Sequence, residues 1–65
     1  MKLYDLLHIT EPETVVAITK HSNGCFLLLF REKAELALKA GLINHDVHMQ
    51  GIATDGVLVI ELTNK

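Results

Sequence analysis

The chain has one cysteine, Cys25, so no intramolecular disulfide can staple it. Long apolar runs are missing as well. The longest, CFLLLF at 25–30, is six residues, far short of the roughly 20 that a membrane-spanning helix requires. No membrane partner is therefore expected. The opening MKLYDLLHITEPE has early acidic residues and no signal-peptide hydrophobic region. Neither sign of charge dominates: the net charge is −2, and Lys2, Lys20, Arg31, Lys33, Lys39 and Lys65 are scattered. Non-specific nucleic-acid binding needs clustered cations that displace counterions, so no nucleic-acid partner is expected either. A lone thiol without a leader fits a reducing, cytoplasmic location.

What is present is compact. The 65 residues read as one small domain, 1–65, with no repeat, linker or low-complexity stretch. A domain of this size buries only about 60% of the surface that its unfolded chain exposes, and commonly needs a metal or self-association to be stable. The hydrophobic share of 49% is high for so little interior.

Leu3, Leu6 and Leu7 follow i, i+3, i+4 spacing, opposite Lys2, Asp5 and His8, and predict a helix of about two turns. TEPE at 10–13 matches a capping box, but the β-branched TVVAIT that follows favours a strand, and Pro12 biases Glu11 away from helical angles. Residues 10–13 are thus expected to be a loop and 14–20 a strand. Asn23-Gly24 marks a type I′ hairpin turn into a return strand at 25–30, and Asp55-Gly56 marks a second hairpin joining 47–54 to 57–63. Between them REKAELALKAG, 31–41, predicts a helix with Ala34, Leu36, Ala37, Leu38 and Ala40 on one face and Gly41 just past its end. The order is αββαββ: an α+β domain with a mostly antiparallel four-stranded sheet.

Two-residue loops would pair Thr54 with Val57, Ala53 with Leu58 and Gly51 with Ile60. One face then carries Met49, Gly51, Ala53, Leu58, Ile60 and Leu62; the other carries His48, Gln50, Ile52, Val59 and Glu61, with Glu61 opposite Gln50. In the first hairpin Val16, Ile18, Leu27 and Leu29 share one face and Val15, Ala17, Phe26, Leu28 and Phe30 the other. Both faces are largely apolar, and one helix layer covers only one. A bulge at Gly24 or Gly56 would shift these pairings. An exposed apolar face of this kind marks an interaction surface. A homodimer, joined through that face or through a strand edge, is the expected assembly.

Candidates for chemistry are sparse. NHDVHMQG at 44–51 places His45 and His48 three apart, on one side of a helix but on opposite faces of a strand, with Asp46 as a third ligand only if the backbone is irregular. Solvated or half-buried structural histidines are the favoured reading over a metal site at His45 and His48. Cys25 and His21 fall on opposite hairpin faces, and His21 pairs with Phe26, so a nucleophile–base pair is not expected. No paired carboxylates and no phosphate loop are found. The sequence thus names no catalytic, cofactor-binding or metal residue and implies no cofactor and no enzyme activity.

KLYDLL at 2–7, TVVAI at 14–18 and DGVLVIEL at 55–62 carry a resemblance. In these stretches the chain resembles small, uncharacterised α+β proteins encoded in phages and mobile elements of Gram-positive gut bacteria. Their form is a leading K(L/I)xDLL, an acidic loop with Thr, a hairpin with Gly, a helix and a terminal LVIEI-like strand. Lys2, Leu3, Asp5, Leu6, Leu7, Thr14, Val16, Ile18, Gly24, Leu58, Val59, Ile60 and Glu61 stand at matching places. The resemblance implies a shared fold and phage-like origin, and it brings no activity or site residue. The expected function is a self-associating interaction module, with a small DNA-associated regulatory factor as the alternative and a His45/His48 metal-binding protein as a third.

Overall fold

The structure is a computed structural model that describes residues 1–63. Its elements are α1 (Leu3–His8), β1 (Val15–Ser22), β2 (Cys25–Lys33), α2 (Ala34–Ala37), β3 (Val47–Ile52) and β4 (Leu58–Leu62). The αββαββ order and the α+β class are as expected. The sheet runs β2-β1-β4-β3, so the two antiparallel hairpins meet at a parallel β1–β4 pair in the centre. The sheet is mixed, with two antiparallel ladders and one parallel.

The leucine spacing of α1 works as read: Leu3, Leu6 and Leu7 are buried. They pack with Ala34 and Ala37 of α2 onto Val16 and Ile18 of β1 and Leu58, Ile60 and Leu62 of β4. Helices this short are unstable alone, and their first backbone N–H groups have no partner within the helix. No side chain caps either one. Loop carbonyls do this instead. Leu3 and Tyr4 donate to the carbonyls of His45 (2.8 Å) and Ile43 (3.0 Å), and Ala34 and Glu35 donate to those of Thr14 (2.8 Å) and Pro12 (3.2 Å). Thr10 sits in the loop, and its hydroxyl donates back to the Leu6 carbonyl at 2.7 Å.

The second helix is a correction. Residues 31–33 extend β2, where Arg31, Glu32 and Lys33 pair with Ala17, Val16 and Val15. Ladder bonds to β1 override the helical propensity of REK, since propensity is a weak local preference. Only Ala34–Ala37 is α-helical, and Lys39 and Ala40 then donate to carbonyls three residues back before Gly41 at φ 82°. Ala34 and Ala37 are buried, whereas Leu36 and Ala40 of the expected apolar face are exposed.

Register supplies two further corrections. The first turn is the expected two-residue loop, with Asn23 (φ 52°) and Gly24 (φ 81°) inside the Ser22–Cys25 pair. Further along, however, Ile18 pairs with Phe30 and Thr19 with Leu28, so Leu29 is an extra residue, a β-bulge. Phe30 therefore moves to the helix side, where it packs against the core.

The second hairpin closes over three residues. Ala53 donates to the Val57 carbonyl (2.9 Å), Gly56 donates to the Ala53 carbonyl (2.9 Å), and Gly56 takes φ 86°. That is the bulged loop in which glycine occupies the left-handed position. The pairs become Ile52–Leu58, Gly51–Val59, Gln50–Ile60 and Met49–Glu61. A one-residue slip moves every side chain to the other face. Met49 and Gly51 leave the expected core face, Gln50 and Ile52 turn to the helix side, and Glu61 faces Met49 rather than Gln50.

Candidate interaction surface

Helices cover one side of the sheet only. The other side is built by alternation from β1 (Val15, Ala17, Thr19, His21), β2 (Phe26, Leu28, Arg31), β4 (Val59, Glu61) and β3 (Met49, Gly51), as the registers dictate. Phe26 is 67% exposed, Leu28 61% and Met49 60%. Side chains of this size do not stand in water over a whole sheet face without reason, and contiguous apolar patches mark contact sites.

The face has relief. Phe26 and Leu28 lie along β2, while Ala17, Thr19 and Gly51 are small or slender. A depression of about 400 Å³ lies among Thr19, Phe26, Met49, Gly51 and Val59, with Gln50 and Glu61 also on its lining, and its exposed surface is mostly apolar. The Thr19 hydroxyl donates to the Ile60 carbonyl at 3.1 Å, beside Glu61, its neighbour across the β1–β4 ladder. The His21 ring lies 4.9 Å from that of Phe26, centroid to centroid, so the ridge includes both.

Two side-chain contacts within the chain involve ionisable groups of this face. Arg31 approaches Asp55 at 3.9 Å, and His48 Nε2 approaches Glu61 at 3.8 Å. An apolar centre inside a polar rim is the usual anatomy of a protein–protein contact.

NHDVHMQG is now placed. Met1 to Tyr4 lie beside Ile43 to Val47: Lys2 bridges to Asp46, and Val47 donates to the Met1 carbonyl at 2.8 Å. The segment is a clasp on the start of α1. Half-buried His45 directs Nδ1 to the Leu42 carbonyl at 3.2 Å, and exposed His48 leans on Glu61. A recess of about 190 Å³ lies among Asn44, His45, Asp46 and Thr63. Among the described residues no three His, Cys, Asp or Glu side chains gather as a metal would need. Cys25 is exposed and pairs with Ser22, while His21 pairs with Phe26, so the hairpin sets the two apart as expected.

The sequence pointed to a second apolar face but missed the place of Met49 and Gly51 on it, the depression, and the rim pairs. One signal was available: Thr54-Asp55-Gly56 suits a three-residue loop with terminal glycine as well as Asp-Gly suits a two-residue one. Among the described residues no helix is long and apolar enough to cross a membrane. Compared with known protein families, with curated proteins and with solved structures, the chain matches none.

Proposed function

We propose that the chain is a small cytoplasmic interaction module of phage-like origin that catalyses no reaction and works as a homodimer through the helix-free face of its sheet. The observation that carries this reading is the exposed, contiguous apolar surface of Phe26, Leu28, Met49 and Val59. Three considerations support it. A domain this small gains stability most readily by association when it has no disulfide to draw on. The cation Arg31 already has an acidic neighbour, Asp55, in the same chain, which disfavours a polyanionic partner such as DNA. The thiol of Cys25 is single and exposed, in keeping with a reducing compartment.

Sedimentation equilibrium over a wide concentration range tests the reading. A reversible dimer with a dissociation constant in the micromolar range is expected. A mass that stays monomeric at several hundred micromolar (about the highest concentration such a contact would need) would overturn it.

A further inference from the structure

We infer that the depression on the open face is a binding site for a small organic cation, an ammonium group on an apolar body, with the Glu61 carboxylate as its counter-charge. This goes beyond the dimer reading and stands or falls apart from it. The registers set Leu28, Thr19, Glu61 and Met49 side by side across the four strands, with Val59 and Gly51 in the next row. Glu61 thus stands in mid-face on a central strand, between Ile60 and Leu62, which are buried beneath the helices. Glutamate is a poor strand former, so the strand gains nothing from it there.

The charge of Glu61 is left largely unanswered within the chain. Asp46 and Asp55 are more than half exposed, and each lies beside a cation, Lys2 or Arg31. The Glu61 side chain is only 18% exposed, yet its one ionisable neighbour is His48, with Nε2 3.8 Å away. An imidazole brings charge only when protonated, and that distance exceeds a hydrogen bond. Thr19, its neighbour on β1, gives its hydroxyl proton to the Ile60 carbonyl instead. Among the described residues no lysine or arginine pairs with Glu61, and no donor is hydrogen-bonded to its carboxylate. A carboxylate largely withdrawn from water is stabilised by a cation that reaches it.

The surroundings choose the kind of cation. A metal ion needs several ligands, and among the described residues no third His, Cys, Asp or Glu joins Glu61 and His48. At about 400 Å³ the depression has the size of a small-molecule site. Phe26, Met49 and Val59 line it with exposed apolar surface, which an inorganic ion would leave in water. An apolar body against these walls, with its ammonium on Glu61, uses both parts of the site. Gly51 keeps the space open, since a Cβ there would meet nothing within 4 Å.

The test titrates 4-phenylbutylamine into the dilute, isotope-labelled chain and follows the amide shifts by NMR. Its neutral and anionic counterparts, 4-phenylbutanol and 4-phenylbutyrate, are titrated in parallel. Saturable shifts centred on Thr19, Gly51, Val59 and Glu61, with a dissociation constant of about 1 mM or below, are expected for the amine. The alcohol and the carboxylate should bind roughly tenfold more weakly or worse, the size of a lost charge-assisted contact. Glu61→Gln should weaken the amine by the same factor and leave the alcohol unchanged, whereas Gly51→Leu, which fills the depression, should weaken both. Glutamine matches glutamate in shape and Gly51 has room for a side chain, so both variants should fold, and amide shifts remote from the site check this.

Equal binding of amine and alcohol, or of the amine to wild type and Glu61→Gln, overturns the cation assignment. No saturable shift with up to about 10 mM amine overturns the site itself. Sedimentation equilibrium reports on the dimer separately. A dimer without amine binding sinks this inference alone, and a monomer that binds the amine sinks only the dimer.

Discussion

The two faces of one sheet differ more than the sequence of either strand would suggest. On β1, Val16 and Ile18 are fully buried, while Val15 one residue earlier is 37% exposed. On β4, Leu58, Ile60 and Leu62 lie beneath the helices, and Val59 between them is open. Both sides of these strands are rich in β-branched and aliphatic residues, so composition does not separate them. What separates them is the helix layer, which is only one layer thick. The difference teaches that the apolar content of this chain exceeds what its own helices can cover. One face builds the core of the monomer and the other stays open.

The largest effect that sharpens this contrast comes from truncating neighbours on β4. Ile60→Ala should cost about 2–5 kcal/mol, because a buried aliphatic loses its transfer energy and leaves a cavity. For a domain whose whole stability is on the order of 3–10 kcal/mol, that is a drastic loss. Val59→Ala, one residue away, should cost the monomer less than about 1 kcal/mol, since water already reaches the site. Urea unfolding at low protein concentration, where the proposed dimer would be dissociated, measures both. Equal losses would erase the distinction between the faces.

Much of the covered face could be read in advance. The i, i+3, i+4 leucines of α1, the alternation of β4 and the Asn23-Gly24 turn each carry a local signal strong enough to survive folding. The errors arose where the local signal was ambiguous or was outweighed. CFLLLF is apolar at every position, so it has no period to fix its register, and the bulge at Leu29 costs little there. Arg31, Glu32 and Lys33 favour a helix by propensity, yet ladder bonds to Val15, Val16 and Ala17 hold them in β2. On the open face the existence of a second apolar surface and most of its composition were legible, but the places of Arg31, Met49 and Gly51 were not. Which side Met49 and Gly51 take depends on one residue in the Thr54-Asp55-Gly56 loop. The rim pairs join residues far apart in sequence and leave no local trace.

That loop gives the next effect. Gly56 holds φ 86°, and Ala there should cost roughly 1–2 kcal/mol, the penalty for placing a Cβ in the left-handed region. The consequence goes beyond stability. The three-residue loop is what turns Met49 and Gly51 to the open face, so a chain forced into a two-residue loop would send Gln50 and Ile52 there instead. Gly56→Ala should therefore lower the urea midpoint and weaken association in the same variant. A stability loss with unchanged association would mean that β3 keeps its register without the glycine.

The smallest effect concerns the clasp between the chain start and NHDVHMQG. Lys2 and Asp46 approach at 3.2 Å, but both side chains are more than half exposed, and such pairs are worth from nothing to about 1 kcal/mol. The clasp does not need them. Leu3 and Tyr4 donate backbone hydrogen bonds across it at 2.8 and 3.0 Å, which supply first-turn partners that α1 lacks in itself, and Val47 donates back to the Met1 carbonyl at 2.8 Å. Asp46→Asn should then shift stability by less than about 0.5 kcal/mol in low salt and by still less in high salt, where exposed charges are screened. A loss well above that, persisting in high salt, would show that the carboxylate does more than sit beside Lys2. The covered face would then depend on a side chain outside its apolar core, and the contrast between the two faces would rest on polar as well as apolar packing.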